Sequence, residues 1–143
     1  MKLNLIENAY ILPAIYPSAP FSAGVENGVV TDRVCFHDAI LGVAVGAATG
    51  TPTSFTVDVK VQTGDESNGS DMADYEDVDG NVYNISTLLA DNTYTFKNIV
   101  LEGAKKYIRI VLTVAFVGGT DPTIPVSVNF VLGDSTYSSK IPS

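Results

Sequence analysis

Ile124-Pro125-Val126-Ser127-Val128-Asn129-Phe130-Val131-Leu132 places an apolar side chain at every even position, with Pro125, Ser127, Asn129 and Val131 between them. Successive side chains on an extended backbone point to opposite faces, so this period of two describes a strand with one face in a core. Residues 55 to 62 repeat the pattern: Phe55, Val57, Val59 and Val61 alternate with Thr56, Asp58, Lys60 and Gln62. A third strand, rich in β-branched residues, occupies residues 106 to 116, with Ile108, Ile110, Leu112, Val114 and Phe116 on one side. Its other side, Tyr107, Arg109, Val111, Thr113 and Ala115, is only partly polar, which predicts cover on both faces.

Further strands are expected at residues 33–36, 39–47, 72–75, 82–85 and 93–101, and a single helical turn at residues 86–91. Asn27-Gly28, Asn68-Gly69, Asp79-Gly80, Gly118-Gly119 and Gly133-Asp134 supply the turn residues that hairpins demand. Short strands separated this way predict an all-β fold, an antiparallel β-sandwich of jelly-roll-like form or a small barrel, of about seven or eight strands. The expected organisation is an extended N-terminal arm at residues 1–25, the sandwich domain at 26–134 and a C-terminal tail at 135–143.

The 143 residues suit one core, and 45% apolar against 17% charged residues gives ample material for it but little charge for a surface. With eight Lys and Arg in a chain of net charge −8, neutralising phosphates is a poor task for it, so neither nucleic acid nor membrane is expected as a partner. Cys35 is the single cysteine and forms no internal disulfide framework. The first residues contain Glu7, Asn8 and Pro13 rather than a continuous apolar run, so synthesis in the cytoplasm without a secretion signal is expected.

The N-terminal stretch is apolar but broken by Pro13, Pro17 and Pro20, which excludes a regular central strand. Leu5, Ile6, Tyr10, Ile11, Leu12, Ile15, Tyr16 and Phe21 must be covered, either across the arm's own domain or in a neighbour's groove, and they form the expected partner-binding set.

Groups that carry chemistry are sparse. Seven of the sixteen acids fall within the fifteen residues from Asp65 to Asp79. Asp74, Asp77 and Asp79 are a weak calcium candidate. Asp77-Val78-Asp79-Gly80-Asn81 imitates the middle of an EF-hand loop, but in that register Tyr75 takes the first ligand position and Ser86 the bidentate glutamate position. A solvated acidic hairpin, or one facing a basic patch on a partner, is the plainer expectation. Exposed, crowded carboxylates also lack the cleft and raised pKa of a glycosidase pair. Cys35 and His37, two apart, would share a face if they lay on a strand, yet no orienting acid accompanies them and the lone histidine makes neither a zinc site nor a triad easy to build. Gly42, Gly46 and Gly50 are spread along an apolar strand and its exit, where relief of crowding or a bulge is expected rather than a phosphate loop. Tyr75, Tyr83, Tyr94, Tyr107 and Tyr137 could stack on sugars or bases, yet with no tryptophan and no basic groove beside them they fit core edges and interface contacts better. The reading is of a non-enzyme with no cofactor and no catalytic residues.

Gly103-Ala104-Lys105-Lys106-Tyr107-Ile108-Arg109, the closing strand that runs to Val131-Leu132-Gly133, and Val57-Asp58-Val59-Lys60-Val61-Gln62 followed by an acidic Ser67-Asn68-Gly69 turn cover roughly half the chain. In these segments the chain resembles small structural proteins of tailed bacteriophages encoded beside the major capsid protein. That resemblance implies a capsid decoration or cement protein on the outer surface of an icosahedral virion, bound to the major capsid protein and assembled as a homotrimer. Another virion component, such as a head-fibre base, a tail part or a receptor-binding module, and a β-sandwich carbohydrate-binding module are the alternatives.

Overall fold

The computed structural model describes residues 9–16 and 19–135, and these form ten strands: β1 (Tyr10–Ile15), β2 (Gly24–Asn27), β3 (Thr31–Asp32), β4 (Phe36–Val45), β5 (Ser54–Gly64), β6 (Ala73–Asp74), β7 (Asn84–Leu88), β8 (Tyr94–Val100), β9 (Tyr107–Val117) and β10 (Val126–Ser135). They build two antiparallel sheets. One has four strands in the order β1-β10-β4-β8; the other has six, running β2-β9-β5-β6 with β3 also on β9 and β7 also on β5.

The alternating strands meet face to face. Val126, Val128, Phe130 and Leu132 of β10 and Leu41, Val43 and Val45 of β4 supply one layer of the core; Val57, Val59 and Val61 of β5 and Ile108, Ile110, Leu112 and Val114 of β9 supply the other. All of them are buried. Each such side chain removed from water contributes about 1.5–3 kcal/mol, and this common core holds the two sheets in a sandwich.

Several local expectations are corrected. Ten strands replace the expected seven or eight: β2 and β3 are too short to show a period, and β1 lies in the proline-broken segment expected as an arm. Residues 86–88 continue β7 instead of starting a helical turn: Ile85 enters the core and Leu88 stands opposite Val57, so sheet pairing overrides local preference. The strand expected at residues 33–36 is interrupted by a turn. Cys35 there has a φ of 78°, and Arg33 is drawn off to give its Nε to the Lys105 carbonyl at 2.8 Å. Gly28 does not turn left-handed. It sits where an added Cβ would lie 2.4 Å from the Ala14 carbonyl oxygen, so close approach is what demands glycine. Gly133 lies inside β10, whereas Gly118 and Gly119 do turn left-handed as expected, with φ of 69° and 84°.

The segment expected as an arm supplies edge strands to both sheets. β1 pairs with β10 from Tyr10 opposite Leu132 to Ile15 opposite Val128, and β2 pairs with β9 from Gly24 opposite Val114. Pro13 is tolerated because β1 is the last strand of its sheet, where one side of the ladder needs no donors.

Candidate docking face

The two outer faces of the sandwich differ in chemistry. On the six-stranded sheet the outward residues around β5 are polar and engaged with one another, while Val25 and Val117 stand exposed nearer its margins. Lys60 Nζ lies 2.8 Å from an Asp74 carboxylate oxygen, Gln62 Nε2 donates to Asp74 at 2.9 Å, and Thr87 donates its hydroxyl to Asp58. Arg109 Nε and Nη2 both donate to Gln62 Oε1, at 2.9 and 2.8 Å. Such a surface is finished for water.

The outward face of the four-stranded sheet is not. Strand register sets Ile11 beside Val131, Val131 beside Ile40 and Ile40 beside Asn98. The row at one end holds Asp38 and Val100; the rows beyond Ile40 hold Asn129, Gly42 and Phe96, then Ser127, Ala44 and Tyr94. Ile11 is 67% exposed, Ile40 42%, Phe96 64% and Tyr94 79%. Among the described residues Asp38 is the one charged side chain at an outward position here. Lys97, the only Lys or Arg on these four strands, shares the side of β8 that carries Ile99 and holds its ammonium 5.9 Å from the centre of the Tyr83 ring. Four strands about 4.8 Å apart, over some six residues of about 3.3 Å each, make an uncharged face of roughly 300 Å², the scale at which exposed apolar patches mark interaction sites.

The expected partner-binding residues fare unequally. Leu5 and Ile6 lie outside the described residues. Tyr10, Leu12 and Phe21 pack on the chain's own core, where Ile15 is fully enclosed, and Phe21 exchanges backbone hydrogen bonds with Ile124. Ile11 and Tyr16 face outward. Packing across the arm's own domain is therefore what residues 10–15 do, and Ile11 joins the docking face from its edge.

The calcium candidates are spread over different tasks. Asp74 faces Lys60 and Gln62, and these partners hold its carboxyl below the usual carboxylate range, Gln62 most strongly. Asp77 Oδ1 accepts the backbone N–H groups of Asp79 and Asn81, each at 2.9 Å, which makes it the cap of a tight turn with Val78 and Asp79 at the tip; the same donors lower its pKa, that of Asn81 foremost. Asp71 likewise accepts the N–H groups of Asp65 and Glu66, and its pKa falls for that reason. Among the described residues no three His, Cys, Asp or Glu side chains gather as a metal-holding group.

Cys35 lies in the left-handed turn before β4 while His37 is on that strand, so the shared strand face that a Cys-His pair needs is not formed. Tyr75 and Tyr83 stack with ring centres 5.0 Å apart, and Tyr75 donates its hydroxyl to the Val100 carbonyl; burial pushes its pKa up. Tyr107 lies beneath the ammonium of Lys106, and Tyr137 lies outside the described residues. Of the five tyrosines considered, Tyr94 stands on the docking face. Ile40, Phe96, Val100 and Val131 were not singled out from the sequence. The signal that marks them is apolar residues at the alternate positions where the strands at 55–62 and 124–132 carry mostly polar ones.

No protein-family model and no curated protein matches the chain. Among solved structures it is similar to the crystal structure of SPBc2 prophage-derived protein YomS, at 18% identity over 87% of this chain and 92% of that one, with a TM-score of 0.41. At that distance, function has to be argued from this chain's own surfaces.

Proposed function

We propose that this chain is a structural component of a tailed-phage particle, a decoration protein that seats on the major capsid protein by the aliphatic half of its four-stranded sheet, Ile11, Val131, Ile40 and Val100. The carrying observation is the contrast between the centres of the two faces: one is a network of paired charges and amides, while the other leaves large apolar side chains in water with almost no charge among them. An exposed face of this kind lowers its free energy by burial against a protein surface, and interface centres are poor in charge for the same reason. The phage assignment rests on the resemblance of three segments. Two of them are hydrogen-bonded neighbours here, β5 against β9 with Gln62 opposite Arg109.

The test is co-sedimentation with shells assembled from the major capsid protein of the phage that encodes this chain. Wild type and Thr56→Lys, altered on the opposite face, are expected to pellet with shells, and Ile40→Glu to lose at least about tenfold in affinity, or about 1.4 kcal/mol. Failure of the wild-type protein to bind, or label on the tail rather than the shell in micrographs of virions, would overturn the proposal.

A further inference from the structure

The other half of this face has a built shape. Two successive rows across the sheet read Asn129, Gly42, Phe96 and Ser127, Ala44, Tyr94, so β10 contributes a polar column, β4 a column of the smallest side chains and β8 a column of aromatic rings. These six residues line a shallow cavity of about 290 Å³. The walls stand two strand spacings apart, about 9.6 Å, and the rows follow each other at about 6.8 Å.

Gly42 is the telling residue. Glycine inside a strand weakens it, and its usual excuses are a bulge, a left-handed backbone or a close neighbour. None applies: the register runs unbroken on both sides of Gly42, its φ is not positive, and an added Cβ would meet only the Asn129 carbonyl oxygen, at 4.0 Å. Gly46 and Gly50 differ, since a Cβ there would lie 2.6 Å from Pro125 and 2.4 Å from the Thr120 carbonyl oxygen. Gly42 therefore serves the surface rather than the fold. It keeps the floor open.

We propose that this trough binds a neutral carbohydrate, with sugar rings laid against Phe96 and Tyr94 and their hydroxyls bonded to Asn129 and Ser127. An amide and a hydroxyl each donate and accept, which matches a polyhydroxyl ligand. A purely apolar side chain in the same place would bury both groups without partners, at a cost. The trough is lined by no charged side chain for an ionic ligand to pair with, and aromatic rings present flat apolar area at little entropic cost. This site goes beyond shell docking and does not depend on it.

The probes are cellotetraose, chitotetraose, laminaritetraose and maltotetraose, with a proline-rich decapeptide as the rival aromatic-groove ligand, titrated into the full chain by calorimetry and amide chemical shifts. At least one oligosaccharide is expected to bind, with affinity lowered at least tenfold by Tyr94→Ala and by Gly42→Val and unchanged by Thr56→Lys. Gly42→Val adds a β-branched residue where there is room, so it folds at least as well as wild type and separates loss of site from loss of structure. No sugar binding up to about 10 mM, sugar binding indifferent to Gly42→Val, or binding of the peptide alone overturns the inference. Shell co-sedimentation of the same variants is read in parallel: if shells bind and sugars do not, the trough proposal falls and the docking proposal stands.

Discussion

Arg109 on β9 and Gln62 on β5 stand directly opposite one another, and the guanidinium closes a fork of two hydrogen bonds, 2.9 and 2.8 Å, on the single oxygen Oε1 of Gln62. Gln62 passes the link on, donating through Nε2 to Asp74, which is ion-paired with Lys60. The network ties β9 to β5 and β5 to β6, and Asp74 belongs to the acidic stretch that the sequence presents as free charge. Arg109→Ala is expected to cost about 1–2 kcal/mol, because the bonds come from a charged, partly buried donor. A lower urea midpoint with shell binding intact checks it; unchanged stability would mean that solvent replaces the fork at no loss.

Leu41 and Phe130 pair across the β4–β10 ladder, and both are buried in the seam between the sheets. Phe130→Ala leaves a cavity that rigid strands on both sides cannot close, and it is expected to cost about 3–5 kcal/mol in chemical unfolding. A loss below about 1 kcal/mol would show that the sheets collapse onto the gap.

How far the fold could be read follows from which strands have one wet face. β5 and β10 alternate apolar with mostly polar residues, so Val57 and Phe130 announce their side at once. β4 and β8 carry Ile40, Ala44, Phe96 and Val100 on the outside, and a strand apolar on both sides shows its extent without showing its faces. The trough was illegible for a further reason: Gly42, Phe96 and Asn129 are distant in sequence and become neighbours only through the register of β4 with β8 and β10. Residues 86–88 misled because Thr87 and Leu88 report local preference, while their conformation is decided by Val57 and Val59 across the ladder. Asp77 and Asp71 read as charge, yet their oxygens are committed to backbone amides whose positions depend on the turn.

Those turn aspartates make stability depend on acid. Asp71 has its carboxyl pKa depressed below 3.8, chiefly by the N–H of Asp65 and then that of Glu66. A carboxyl with a depressed folded-state pKa stabilises the fold above its unfolded value and loses that contribution as pH falls through the folded one. Asp71→Asn is therefore expected to be less stable than wild type at neutral pH, with the difference shrinking as acid protonates the Asp71 carboxyl. Thermal unfolding of both proteins from neutral pH into acid checks it, and a difference independent of pH would assign the effect to geometry rather than charge.

Neighbouring positions on β1 separate folding from docking. Ile15 is 4% exposed and opposite Val128, whereas Ile11 is 67% exposed and opposite Val131 at the edge of the docking face. Removing the whole segment would confuse the two roles, since the edge strand of the four-stranded sheet would go with it. Single substitutions do not. Ile15→Ala is expected to lower stability by about 2–5 kcal/mol and to leave the affinity of the folded fraction for shells unchanged. Ile11→Lys puts a charge into water at the edge of the face, so its stability is expected to stay within about 0.5 kcal/mol of wild type while shell affinity falls. If Ile11→Lys bound shells as wild type does and Ile40→Glu did not, the docking footprint would end at β10, with β1 left as a structural edge.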